Sequence, residues 1–369
     1  QLTILKKFFL YIFSLVYGMV VNIRNTLFNL NILRTREFEV PVISVGNITV
    51  GGTGKTPHTE HLIGLLSKKF DIAVLSRGYK RKSKGFLLVE TDSFIRQSGD
   101  ESLQIKRKFP GIMVAVDENR VRGIEKILEI SEKRPDVIIL DDAFQHRYVT
   151  PSINILLIDY NRMITEDDML PYGRLREPAS NRDRANIIIV TKCPMEIKPI
   201  DERIITKDLH IWPYHDLFFS RIKYGEMLPL FPDKVKEKEV CLDADTGILL
   251  LTGIANPQPL RDKLLQTTKS VVAVAYPDHY PFTLKDMEKV AGQLEAMSAE
   301  KKLIVTTEKD TFRILEIEDL PDTITENLYY IPIEIRFINQ TDNDFDKKIM
   351  KYVGENKSNF ELHSRKNKI

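Results

Sequence analysis

"SVGNITVGGTGKTPHTEHLIGLL" (residues 44–66) decides how this chain is read. It joins a β-branched strand end to a glycine cluster, then Lys55-Thr56, then a helix starting near Pro57. Strand, glycine loop and helix in that order are the setting of a phosphate loop. Glycines let backbone N–H groups converge on phosphate oxygens with no Cβ in the way. The helix N-terminus adds partial positive charge. Gly51, Gly52, Thr53, Gly54, Lys55 and Thr56 are therefore the candidate cradle, with Lys55 reaching the β/γ-phosphates and the Thr56 hydroxyl serving Mg²⁺. Thr49 stands where the pattern G-x-x-x-x-G-K-[ST] opens with glycine, so Gly51 and Gly52 are expected to supply the tight turn instead.

Around this loop, short apolar runs alternate with helical patterns: 71–79, 111–120, 135–146, 153–160 and 185–193. That rhythm predicts a parallel sheet covered on both faces. The strand "VIILDD" ends in Asp141-Asp142, where a phosphate-loop enzyme holds its metal. The expected fold is α/β: a P-loop NTPase-like parallel-sheet domain, a second smaller α/β domain, and an N-terminal hydrophobic membrane helix. The expected divisions are 1–36 for the membrane-associating segment, 37–206 for the P-loop domain and 207–246 for connector strands. The smaller C-terminal α/β domain is expected over 247–353, and 354–369 as a polar, disordered tail.

The run "IIIVTKCP" is similar to the guanine-reading [NT]-K-x-D motif, but Pro194 replaces the required Asp. ATP is therefore the expected nucleotide. Strand C-terminal ends form the ligand crevice of an open parallel sheet. Arg77, Arg120 and Arg176 fall at such ends, where cationic side chains clamp phosphoryl oxygens. A hydroxyl acceptor needs a base. Asp100 in "SGDES" and His279 in "YPDHYPF" are the candidates.

The formal net charge of +2 argues against a dedicated nucleic-acid binder, and nothing calls for an obligate protein partner. The two cysteines, Cys193 and Cys241, have no metal-binding spacing and read as reduced structural thiols. The apolar run Phe8–Val21 follows Lys6-Lys7. About 14 helical residues reach roughly 21 Å, short of the ~30 Å hydrocarbon core. A signal peptide lacks its cleavage site here, and a buried core helix is the plain alternative. A membrane anchor, in one leaflet or as a short span, is the expectation.

"VISVGNITVGGTGKTP", "LSRGY", "SGDE", "DDAFQH", "GRLREP", "PDHYPF" and "VTTEKD", in this order, resemble the tetraacyldisaccharide 4′-kinase family of lipid A biosynthesis. The likeness runs from the apolar N-terminus to about Asp310, and Ala143 stands where the family usually has glycine. The resemblance implies an inner-membrane enzyme of a Gram-negative cell, catalytic on the cytosolic side. It implies transfer of the ATP γ-phosphate to the 4′-hydroxyl of an acylated disaccharide monophosphate. It assigns Gly51 to Thr56 to the ATP phosphates, and Thr56, Asp141, Asp142 and Glu101 to Mg²⁺. Asp100 paired with His279 would activate the hydroxyl, and Arg77, Arg120 and Arg176 would neutralise phosphates. The rival is a membrane-associated P-loop ATPase or nucleotide switch, which has no need of Asp100 with His279.

Overall fold

A computed structural model describes residues 2–235, 237, 242–338 and 344–366. The chain divides into two units: Gln1–Ile222 with Ile335–Ile369, and Lys223–Glu334.

The first unit opens with helix α1 (Leu2–Asn29), then β1 (Val42–Gly46), α2 (Lys55–Leu66), β2 (Ile72–Ser76) and the short β3 (Leu87–Leu88). It continues through α3 (Ile95–Ser98), α4 (Asp100–Lys108), β4 (Met113–Val116), α5 (Arg120–Ile130), β5 (Val137–Asp141) and β6 (Ile153–Asp159). Next come β7 (Ile187–Thr191), α6 (Pro199–Asp208) and β8 (Asp216–Tyr224). The second unit holds β9 (Leu228–Pro229), β10 (Gly247–Thr252), α7 (Gln258–Leu265), β11 (Ser270–Ala275) and α8 (Leu284–Ala296). It ends with β12 (Lys302–Thr307), α9 (Glu308–Ile314), α10 (Asp322–Asn327) and β13 (Leu328–Ile331), after which β14 (Ile333–Ile338) and α11 (Asp344–Lys366) follow.

The large sheet runs β14-β8-β7-β6-β1-β5-β2-β4-β3. From β8 through β4 every pairing is parallel. Strands such as β1, β2, β5, β6 and β7 are buried along their whole length, as their unbroken Val/Ile/Leu runs require. On one face Ile43, Val45, Ile139 and Leu157 pack with Leu62, Ile63 and Leu66 of α2. On the other, Ile124 and Ile127 of α5 cover Ala73 and Ile138, while Ile205 near the end of α6 covers Ile188. β1 lies centrally between β5 and β6, and the chain leaving it crosses to β2 beyond β5. The loops after β1, β2, β4, β5, β6 and β7 therefore gather at one edge around a topological switch point. The smaller sheet, β11-β10-β12-β13-β9, is parallel except for β9.

Four expectations change. The segment 207–246 is not simply a connector: β8 pairs in register with β7 and extends the large sheet, burying Phe218 and Phe219. Part of that segment, including Cys241, lies outside the described residues. The smaller unit ends near Glu334 rather than at 353, and the expected disordered tail is helical through Lys366. Phe345, Ile349 and Val353 explain this, because residues four apart make one stripe that docks in the core. The turns beyond 354 continue that anchored helix, and Lys357 pairs with Asp136 at 2.8 Å. Finally, the apolar N-terminal run belongs to a longer helix. The candidate span covers Leu5–Asn29, 25 residues, or about 37 Å at 1.5 Å per residue. It is not a core helix, since Phe8, Phe13, Leu15, Met19 and Val20 are each more than half exposed.

Candidate active site

Gly46 closes β1, and a Cβ there would sit 2.7 Å from the Phe144 backbone nitrogen, so only glycine fits. Asn47 is fully buried, and its amide donates to the Thr53 hydroxyl at 2.7 Å across the loop. Thr49 forms an antiparallel bridge with Leu175. The Val50 amide donates to Arg174 O at 2.9 Å, and the Arg176 amide to Ile48 O at 2.7 Å. Residue 49 is thus held extended by the "GRLREP" segment, which accounts for a β-branched residue where the strict pattern has glycine. The turn falls later, but at Gly51 and Gly54 rather than at Gly51 and Gly52: those two have φ of 103° and 88°, the left-handed region that glycine tolerates. Gly54 caps α2 without any side-chain bond, leaving the helix's first amides turned toward the loop.

Asp141 ends β5, and Asp142 follows it at a φ of 47°. The Thr59 hydroxyl donates to Asp141 Oδ1 at 3.0 Å, while the buried Asp141 Oδ2 has no partner among the described residues. Burial, then Glu101 and Asp142, push the Asp141 carboxyl up to about 7. Burial also raises Asp142, but Lys55 and Arg176 outweigh it and hold that carboxyl below its ordinary value. Lys55 Nζ lies 3.7 Å from Asp142 Oδ1, and Arg176 Nη2 donates to the same oxygen at 3.1 Å. Arg176 also donates to the Asn47 carbonyl at 3.1 Å, joining the loop, β5 and "GRLREP" at one point.

Arg120, at the start of α5, is 2% exposed. It donates to Asp117 O at 2.9 Å and reaches the Asp141 and Asp142 carbonyls at 3.4 and 3.5 Å. Burial lowers it to about 10, so it stays a cation at neutral pH. Arg77 is exposed just past β2 and is one of the charges felt by Arg120. Asp100 is buried at the first position of α4, after Gly99 (φ 84°), and accepts from the Glu101 amide at 3.0 Å. These residues share the first unit. His279 belongs to the second, at φ 61°, with its amide donating to Gly253 O. Its Nε2 lies 3.3 Å from Lys309 Nζ, and its Nδ1 lies 3.4 Å from Arg313 Nη2. Asp310, fully buried, accepts from Arg313 at 2.6 Å and from the Gly253 amide at 3.0 Å.

The donors fit a magnesium ion. The orphaned Asp141 Oδ2, raised by burial and by neighbouring carboxylates, is a group that a cation would relieve. Among the described residues no group of three or more His, Cys, Asp or Glu encloses a metal. Mg²⁺ needs no such cage, because it is held by one or two carboxylates plus substrate phosphates and water.

Sequence reasoning missed Asn47, Thr59 and the Asp310–Arg313 pair. Asn47 alone carried a signal, a polar side chain inside an apolar run beside the glycines. The other contacts are long-range and leave no local pattern.

The family model described as Tetraacyldisaccharide-1-P 4'-kinase matches residues 6–353. The chain is 46% identical to a "Tetraacyldisaccharide 4'-kinase" of Bacteroides thetaiotaomicron over 365 residues, covering 97% of this chain and 96% of the relative. It is 48% identical to one of Parabacteroides distasonis, covering 92% and 93%. Its fold is similar to a crystal structure of "apo" form LpxK from Aquifex aeolicus in complex with ATP. That likeness has a TM-score of 0.70 at 28% identity, covering 94% of this chain and 99% of that one.

Proposed function

We infer the chemistry from one premise: the chain belongs to the tetraacyldisaccharide-1-P 4′-kinase family. It is an ATP-dependent kinase that transfers the γ-phosphate to the 4′-hydroxyl of a tetraacyldisaccharide 1-phosphate, giving lipid IVA. The observation that carries the residue roles is the meeting of Lys55, Arg176 and Asp142 beside the glycine loop, with Arg120 behind Asp141.

In the proposed roles, the amides of the Gly51–Thr56 loop and the start of α2 take the β- and γ-phosphate oxygens. Lys55 follows the charge that grows on the bridging oxygen as the bond to phosphorus breaks. Thr56, Asp141, Asp142 and Glu101 would hold Mg²⁺, which supplies neutralising charge between the β- and γ-phosphates. Arg77, Arg120 and Arg176 balance phosphate charge. Asp100 accepts the proton of the 4′-hydroxyl as its oxygen bonds to γ-phosphorus, and ADP leaves with the electron pair of the broken bond. His279 orients or relays for Asp100.

The acceptor's acyl chains give α1 its purpose. The Ser14 hydroxyl donates to Met169 O at 2.8 Å and the Tyr17 hydroxyl to Arg176 O at 3.1 Å, tying the helix to Met169 and to "GRLREP". Beside these bonds runs a groove of ≈ 710 Å³ lined by Tyr11, Leu15, Met19, Ile23, Met169 and Pro178. The exposed apolar side of α1 rests in the cytosolic leaflet of the inner membrane and keeps the site at headgroup height. The test is ADP release by the purified full chain with and without the acylated disaccharide monophosphate. Acceptor-dependent turnover supports the kinase reading, and equal turnover without acceptor supports an ATPase.

A further inference from the structure

A loop that turns its amides toward phosphate must turn its carbonyls the other way, because N–H and C=O of a trans peptide point in opposite directions. Whatever grips those carbonyls from outside therefore aims the amides inside. Three successive carbonyls of the loop are gripped by side chains. Lys192 Nζ donates to Gly52 O. The Thr191 hydroxyl donates to Thr53 O at 2.9 Å. His58 Nδ1 lies 2.7 Å from Gly54 O, and because a carbonyl only accepts, that nitrogen carries the proton.

Each gripping side chain is itself held. Lys192 Nζ also donates to Asp159 Oδ2 at 2.7 Å, so Asp159 at the end of β6 fixes the ammonium. A φ of 57° at Lys192 turns the chain just past β7, where its stem can fold back over the loop. Thr191 is 1% exposed. His58 is 4% exposed, and its Nε2 lies 2.9 Å from the Ser220 hydroxyl of β8. With Nδ1 protonated, Nε2 accepts, and burial lowers this imidazole to about 4, which keeps it in that neutral form. The ends of β6 and β7 and the middle of β8 thus brace the outer side of the loop. This gives a use to Thr191-Lys192, which without the acidic partner lost at Pro194 cannot hold a guanine edge.

We propose that Lys192, Thr191 and His58, with Asp159 behind Lys192, are positioning residues that aim the Thr53, Gly54 and Lys55 amides at the ATP phosphates. The proposal rests on the kinase reading for the identity of the nucleotide. It goes beyond that reading by placing nucleotide affinity in residues that act through the loop's carbonyls.

The test compares Thr191→Val, Lys192→Met, Lys192→Arg and Asp159→Asn with wild type. Each full-length protein is titrated with a non-hydrolysable ATP analogue and assayed for KM of ATP and of the lipid. A lost hydrogen bond to a loop carbonyl is expected to weaken analogue binding about tenfold. Thr191→Val and Lys192→Met should raise KM for ATP by a similar factor and leave KM for the lipid unchanged. Lys192→Arg should recover most of the affinity, and Asp159→Asn should follow Lys192→Met in direction. A purely structural role would lower the melting temperature and the active fraction while leaving KM for ATP as it was. If Thr191→Val does not fold, the partly exposed Lys192 decides the matter alone. Lys192→Met binding the analogue within twofold of wild type would overturn the brace. Wild-type protein that binds no ATP analogue would overturn the kinase reading and the brace with it.

Discussion

Lys55→Met removes one positive charge from the loop while keeping most of the side chain's bulk. In the structure that charge lies 3.7 Å from Asp142 Oδ1. At an effective dielectric of about 20 the attraction is about 4 kcal/mol before solvent screening. Both side chains are partly exposed, at 16% and 31%, so the net coupling is smaller, on the order of 1 kcal/mol. Asp142 keeps Arg176 as a partner at 3.1 Å, so the fold should tolerate the change. The kinetic loss should be larger than the loss of stability, because charge accumulates on the phosphate oxygens only as transfer proceeds. Removing one such electrostatic contact typically costs about 10²–10³-fold in kcat. A second effect follows from Asp141. Lys55 pulls its carboxyl down against burial, so without Lys55 it rises further above about 7. A cation site that needs this carboxylate ionised would then need higher pH, and residual activity should climb more steeply from neutral to alkaline pH than in wild type. The assay is the initial rate of phosphoryl transfer at saturating ATP and lipid, across pH, on protein checked for folding. Turnover within threefold of wild type would refute the placement of the phosphates at this loop.

Asp100→Ala and His279→Ala should each lower kcat with little effect on ATP affinity, and the double variant should lose little more than the worse single one; losses that multiply would show that the two act independently. His58 is held neutral down to about 4 by burial, against 6.5 when unfolded. The unfolded chain therefore binds its proton first, and this imidazole costs stability as pH falls through that window. The difference in unfolding free energy between wild type and His58→Gln should shift against wild type by about 3 kcal/mol from pH 7 to pH 4; no shift would mean that the imidazole is not buried neutral. Changing Phe8, Phe13 and Val20 to serine together should cut co-sedimentation with lipid vesicles while leaving the melting temperature alone, since all three face outward. Undiminished sedimentation would remove α1 from the membrane contact.

The phosphate loop was legible because its requirements are local. Glycines at positive φ, a lysine and a following helix all lie within one short stretch. Asp141-Asp142 was legible for the same reason, as a polar stop on a buried strand. What stayed hidden depends on partners far away in sequence. Thr49 reads as a flaw until Leu175 pairs with it. The residues after 354 have no apolar face of their own, and their helix exists because Phe345, Ile349 and Val353 dock on the large sheet. The apolar run Phe8–Val21 did not show that its helix continues to Asn29. There Arg24 donates to Gln145 O at 3.0 Å, and Asn25 O accepts from Arg147 at 2.9 Å. Strands were expected within 207–246, but that β8, with its apolar run Leu217, Phe218 and Phe219, joins the large sheet depends on its distant partner β7. Thr191-Lys192 looked like the remnant of a base-reading motif, because nothing local shows that these side chains turn back to the loop.

The most direct measurement of the central claim is the position of the new phosphate. Purified protein is incubated with ATP, Mg²⁺ and tetraacyldisaccharide 1-phosphate, and the lipid is recovered for phosphorus NMR. A new phosphomonoester coupled to the 4′-proton, one for each ADP released and formed at least about a hundredfold more slowly with Lys55→Met, is the predicted result. ADP matched only by inorganic phosphate, or a new phosphate on any other oxygen of the lipid, would contradict the account.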